Sequence, residues 1–239
     1  MSSPPESQRD RNRTAQRARI LDAARSLFAS RGFDAVTMGD VAQQAGVVRA
    51  TVFNQFGSKG ALVEALTEGV LEAWAGMLEH ALADETTSTP TLVRALFDQM
   101  GLGIEQFHGF YRGVFREIMK IQVGLEEGGV AVHANERAQG RLERLIARGQ
   151  QRGDLSRAFA AADLVSSFMS LANGTITHWL YEAASGSLRE RMRSAAEIWL
   201  GAVAVGEIQG EPLPDLFGEI EWLRPATPPV RARSSTTVS

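Results

Sequence analysis

Between Arg49 and Lys59 the chain gathers side chains that hydrogen-bond to nucleic acid: Arg49, Thr51, Asn54, Gln55 and Lys59, interleaved with Ala50 and Phe53. A guanidinium matches the guanine edge, an amide matches adenine, and methyl or ring edges meet the thymine methyl, while hydroxyl and ammonium groups hold phosphates. Val52 and Phe56, four residues apart, share one helical face that must be buried, so the polar set is turned outward. The expected division puts Arg49, Ala50, Phe53 and Asn54 on base edges and Thr51, Gln55 and Lys59 on phosphates. Thr37 and Val48, which open the two helices concerned, complete the expected DNA-contacting set.

The surrounding residues supply the elements that such chemistry needs. Thr37 is suited to cap a first short helix, with Asp40 three residues on as a weaker stand-in for the Glu of a capping box. Val41, Ala42 and Ala45 face inward, Gly46 ends the helix because it tolerates positive φ, and Val47 is an apolar plug for the turn. A second helix is expected from about Val48 to Phe56. Ser58 then caps a third, reaching about Ala83, whose first turn contains Lys59. A lysine there opposes the helix dipole, which makes a phosphate a natural partner.

TVFNQFGSKGALV, together with the upstream RILDAARSLFASRGFDAVTMGDVAQQAGV, resembles the DNA-binding segment of tetracycline-repressor-like (TetR) transcriptional regulators, whose pattern is T-L-Y-x-H-F-x-S-K-x-x-L. The resemblance covers about residues 17 to 66, with Ile20, Ala23, Ala24, Leu27 and Phe28 on one face and Gly32-Phe33 after the helix. The chain departs from the pattern in three places. Val48 stands where Ser or Thr usually opens the recognition helix, Phe53 where Tyr is preferred, and Gln55 where His or Tyr is preferred.

Charge is distributed as this resemblance implies. The 239 residues carry a net charge of −3, but residues 1–60 have nine Lys/Arg against five Asp/Glu and residues 61–239 have sixteen against twenty-three. Positive potential is therefore confined to the end that would meet DNA. Seven arginines lie from Arg9 to Arg31, and residues 1–16 read as a disordered basic arm because of their Pro, Ser and charge content. The division expected is then 17–62 for the helix-turn-helix domain, 63–209 for a ligand-binding and dimerisation domain, and 210–239 for a Pro-rich, largely disordered tail with a short turn at 216–223. There is no cysteine, hence no disulfide framework, and no apolar run suggests a membrane span or signal peptide. A cytoplasmic location without membrane association is the expectation.

Beyond Leu66 the apolar period stays helical, so the fold class is all-α with about nine helices: a three-helix DNA-binding domain and a helical body. Further helices are expected from about Pro90, at Tyr111–Val123, Val130–Arg152, Ala160–Ala184 and Leu188–Gly206. The last two, carrying Leu164, Phe168, Leu171, Ile176 and Trp179 and then Met192, Ala195, Ala196, Trp199, Leu200 and Val203, are apolar around much of their circumference. Pairing with a second copy in a four-helix bundle is what the TetR resemblance implies. A largely apolar small-molecule effector would then lie in the middle helices. Its candidate contacts are Met100, Ile104, Phe107, Phe110, Phe115, Met119, Phe168, Met169 and Trp179, with His133, Asn173 and His178 as polar anchors. Each of these is also compatible with plain core.

Two further constellations stand out. Arg137, Arg141, Arg144, Arg148 and Arg152 form one helical stripe, fit either for an anion or for a solvated flank. Glu105 and His108 form a Glu-x-x-His half-motif of di-iron bundles, but the chain has no second such pair. No nucleophile elbow, phosphate loop or HExxH motif is present, so neither an enzyme nor a cofactor is expected. The sequence thus points to a homodimeric, ligand-released repressor on a pseudo-palindromic duplex operator. The alternatives are a TetR-like activator, or a small-molecule-binding or catalytic helical protein with a relic DNA-binding head. Effector binding is expected to act by moving the helix that starts after Ser58.

Overall fold

The computed structural model describes residues 8–125, 129–181, 186–206 and 212–217, which form nine α-helices and no strand beyond an isolated bridge between Leu155 and Ala204. The N-terminal unit consists of α1 (Gln8–Arg31), α2 (Met38–Gln44) and α3 (Arg49–Phe56). The body comprises α4 (Lys59–Ala83), α5 (Thr89–Gln106), α6 (His108–Gln122), α7 (Val130–Arg152), α8 (Ala161–Tyr181) and α9 (Leu188–Val203). One apolar core runs through both, from Ile20 to Phe217.

The expected disordered arm is a correction: from Gln8 onward it is the start of α1, while residues 1–7 lie outside the described residues. From Gln8 to Gln16 three Arg, two Gln and one Ala are good helix formers, and Asp10 sits in the first turn where it complements the dipole. The tail needs a correction too. Residues 212–217 return to the body, with Leu216 and Phe217 buried. The rest of the tail, including most of the expected turn at 216–223, lies outside the described residues.

In the body, α4 lies along α7 and α5 along α9, with α8 packed on α7 and α9. The arginine stripe explains the first pairing. Arg137 bonds Glu72, Arg141 bonds Glu79 at 2.6 Å, Arg148 donates to the carbonyls of Ala81 and Leu82, and Arg152 donates to that of Glu85. The guanidiniums at the end of α4 therefore satisfy carbonyls that the helix leaves orphaned, in the place where positive charge suits the dipole. Across α5 and α9, Asp98 accepts two bonds from Arg189 at 2.8 Å and another from Arg193.

The apolar residues expected to meet a second copy are consumed inside the chain. Met192, Ala195, Ala196, Trp199, Leu200 and Val203 are all buried, as are Leu164, Phe168 and Ile176, with Leu171 and Trp179 half-buried against the core. Their stripes face α5 and each other's helices. What α9 turns outward is a sparser line, including Ser194, Ile198 and Gly201.

No helix among the described residues is long and apolar enough to cross a membrane.

Candidate functional site

Thr37 caps α2 with both halves of a capping box: its hydroxyl accepts from the Asp40 amide at 3.2 Å, and its own amide donates to Asp40 Oδ2 at 2.7 Å. The Thr37 and Arg31 groups hold the Asp40 carboxyl below the usual carboxylate range, chiefly through the Thr37 hydroxyl bond. Gly46 takes φ of 65°, which lets the Val47 amide turn back to the Ala42 carbonyl at 3.0 Å, and Val47 is half-buried beneath the turn. An L-residue would be strained at that φ. The chain is thereby delivered into α3 at Val48, which has no side-chain cap and is 71% exposed.

On α3, Val52 and Phe56 are buried while Arg49, Ala50, Phe53 and Asn54 are exposed and Thr51 is half-buried. The Arg49 guanidinium lies 5.2 Å from the Phe53 ring centre. Stacking on that ring restricts the arginine while leaving its fork of N–H donors open, a favourable starting point for bidentate contact with a base edge.

Gln55 and Lys59 are placed differently from the expectation. Gln55 is half-buried and donates to Gln16 Oε1 on α1 at 2.8 Å. The Lys59 ammonium donates to the Phe33 carbonyl at 2.6 Å and lies 4.0 Å from the Phe33 ring centre. Both serve as fasteners, Gln55 of α3 onto α1 and Lys59 of the α4 start onto the loop after α1. Gln16 lay in the segment read as disordered, so this partner had no place in a local reading. The extended α1 also holds Arg17 4.7 Å from the Phe56 ring centre and presents exposed Arg9, Arg11 and Arg13 on the same helix.

Within the body a small apolar cavity of about 80 Å³ lies between α4, α5, α6 and α8. Of the expected ligand contacts, Met100, Ile104, Phe115, Met169 and Asn173 line it. Phe168 does not: it is fully buried, with its ring 4.6 Å from Phe97 and 5.8 Å from Trp199. Phe110 is core, Phe107 closes the end of α5, Trp179 donates to the Gly186 carbonyl at 3.0 Å, and His133 is exposed beside Glu136. Met119 and His178 line a separate open cleft of about 730 Å³ on the outer side of α6 and α8, which Met169 and Asn173 also border.

Several lining residues escaped the sequence reading: Trp74 and Met77 on α4, Gln99 on α5, Tyr111 and Gln122 on α6, and Phe217 from the tail. On α4 no signal could single them out, because that helix buries residues on nearly every side. Asn173 donates to Gln122 at 2.6 Å, so the polar side chains at that end are already paired. None of the lining side chains is charged.

The Glu105 carboxylate of the Glu-x-x-His pair accepts from the Ser187 hydroxyl and the Arg189 amide at 2.8 and 2.9 Å, capping α9. The His108 ring meets Trp179 edge-on. Among the described residues no three His, Cys, Asp or Glu side chains are grouped to hold a metal ion.

An all-helical body behind two short helices joined at a glycine turn defines the class of helix-turn-helix proteins. Residues 20–66 match the family model of bacterial regulatory proteins, tetR family. It is 31% identical over 90 residues to the HTH-type transcriptional repressor KstR2 of Rhodococcus jostii (strain RHA1), a match covering 38% of this chain and 44% of that one. The chain thus spans less than half the length of this curated relative. Among solved structures it is similar to SmeT, the repressor of the Stenotrophomonas maltophilia multidrug efflux pump SmeDEF, with a TM-score of 0.63 and 21% identity over 85% of this chain and all of that one. It is also similar to Thermus thermophilus FadR, a TetR-family repressor solved with lauroyl-CoA, with a TM-score of 0.57 and 22% identity over 82% of this chain and 99% of that one.

Proposed function

We propose that this chain is a ligand-responsive transcriptional repressor that binds duplex DNA as a homodimer in the cytoplasm, with residues 17–62 as the reading head. The observation that carries the reading is the face of α3: Arg49, Ala50, Phe53 and Asn54 stand exposed together while Val52 and Phe56 hold the helix down. Arg49, Ala50, Phe53 and Asn54 meet base edges, Thr51 with Thr37 and Val48 flanks the backbone, and the basic residues of α1 add phosphate contacts. KstR2, SmeT and FadR are named as repressors, which supports that sign of regulation here. A second copy packs on the outward line of α8 and α9, where small residues permit close approach, and sets two reading heads against a pseudo-palindrome.

The effector enters the cavity between α4, α5, α6 and α8, and the uncharged lining favours a neutral, mainly apolar compound. FadR, solved with lauroyl-CoA, supports a ligand in this body. Two helices carry the signal. α4 starts at the reading head. α6 turns Tyr111, Phe115 and Gln122 to the cavity, while a Cβ on its Gly109 would lie 2.8 Å from the Phe28 carbonyl of α1. A swelling cavity presses α6 on α1 as it tilts α4, changing the spacing of the heads.

The test is selection of binding sites from random duplex DNA by the full chain, followed by titration between about 50 and 200 mM salt. A palindromic consensus bound about 10³-fold or more above random DNA is the expected result. Uniform weak binding to all sequences overturns the reading.

A further inference from the structure

Every residue lining the apolar cavity comes from a helix except Phe217, which comes from the returning tail segment, residues 212–217. Side chains of the body tie that strap down. The Gln99 amide, buried on α5, donates to the Pro214 carbonyl at 2.6 Å and accepts from the Leu216 amide at 2.8 Å. From α4, His80 Nδ1 meets the Leu216 carbonyl at 3.3 Å, so the strap bridges α4 and α5. Asp215 stabilises its bend by accepting from the Phe217 amide at 3.0 Å. Leu216 and Phe217 fall to 2% and 5% exposure, whereas Pro212, Leu213 and Asp215 stay on the surface.

The free space beside Phe217, about 80 Å³, is well below what a small-molecule ligand needs, roughly 300–1,000 Å³. Room must come from displacing something. Two of the four helices give less readily than the strap: α4 is stapled to α7 by Arg137, Arg141 and Arg148, and α5 to α9 through Asp98, so they follow its release by small tilts. The strap contributes no hydrogen bond to any helix ladder, and releasing it breaks the Gln99 and His80 contacts and exposes two side chains.

We propose that residues 212–217 act as a built-in plug, in which Phe217 occupies the place of an effector's flat apolar group and the strap backbone occupies the hydrogen-bonding partners of Gln99. This rests on the reading of the cavity as the effector site. Compounds that replace the plug are neutral, carry an aromatic or similarly flat apolar part, and offer an adjacent donor and acceptor to the Gln99 amide. Apparent affinity is then the intrinsic affinity reduced by the fraction of molecules with the strap open.

Nile red, neutral, flat and apolar and with no N–H or O–H to offer the Gln99 amide, is the probe, and it reads the place of the Phe217 ring alone, so that loss of the Gln99 amide costs it nothing. The full chain, Phe217→Ala and Gln99→Leu are titrated by fluorescence, with circular dichroism establishing that each variant is folded. Gln99→Leu removes the tie without enlarging the space that Phe217 fills. Both variants are expected to bind about tenfold more tightly or better than the parent chain, as the closed fraction is removed. In the parent, saturation with Nile red is expected to raise deuterium uptake across residues 213–217. Equal affinities in all three forms, or tight binding by the parent with 213–217 still protected, overturns the plug and leaves the cavity standing. Failure of all three folded forms to bind overturns the cavity reading and the plug with it.

Discussion

The Lys59 ammonium closes onto Phe33 twice, donating to its carbonyl at 2.6 Å and lying 4.0 Å from its ring centre. Phe33 in turn sits against α6, where a Cβ on Gly113 would come within 3.1 Å of its ring. The loop after α1 is thus the meeting point of the reading head, the first turn of α4 and α6. Lys59, at a helix N-terminus where its charge opposes the dipole, thus has its bonding partner inside the protein.

Lys59→Met is expected to lower stability by about 1–2 kcal/mol in a denaturant titration, the scale of a charged hydrogen bond with an aromatic contact at a partly exposed site. The dependence of residual DNA binding on salt should keep its slope. A slope reduced by about one with stability intact would return Lys59 to the DNA phosphates.

Arg49→Ala should relax base preference at one position of each half-site, with a loss of about 1–3 kcal/mol of discrimination there. Binding to random DNA should change much less. Comparing selected sequence logos of the two proteins tests this, and an equal loss on specific and random DNA would place Arg49 on the backbone.

Gly109→Ala should separate the two ends of the molecule. Its Cβ would meet the Phe28 and Ala29 carbonyls at 2.8 and 3.0 Å, both rigid helix backbone, so α6 must shift away from α1. The expected result is a folded protein, destabilised by about 1–3 kcal/mol, whose DNA affinity responds less to whatever fills the cavity. An undiminished response, measured by operator titration with and without Nile red, would remove α6 from the signal path.

Asp98 gives the stability a defined pH dependence. Burial alone would raise its pKa, but the Arg189 and Arg193 guanidiniums together hold it below the ordinary value of 3.8. A depressed folded-state pKa means that the stabilisation is fully present above the unfolded value and is lost as pH falls below about 3.8 toward the folded one. Asp98→Asn should therefore be less stable than the parent at neutral pH, by about 2 kcal/mol given that both arginines are partly exposed, and the gap should narrow in acid. Thermal melts at neutral and acidic pH measure it, and a constant gap would remove the ion pair from the account.

Much of this molecule follows from local pattern. Helical period, the Thr37 cap, the Gly46 turn and the four-residue spacing of Val52 and Phe56 specify the helix-turn-helix, because caps, turns and amphipathic faces are set by residues within a few positions of one another. Sequence also marked Arg49 and Phe53 as outward residues. It did not determine what Gln55 and Lys59 touch, since their partners lie 39 and 26 residues away. Nor did it separate Phe168, sealed among other rings, from Phe115, which borders the cavity, because an apolar stripe says that a face is buried and not what it is buried against. The tail shows the same limit: a Pro-rich composition reads as disorder, while the Gln99 amide that holds Pro214 and Leu216 is more than a hundred residues distant and comes within reach only once α5 is packed. Tertiary structure alone decided those pairings, because a hydrogen bond or a packed ring needs two groups at a few ångströms, and the folded path of the chain fixes which two those are.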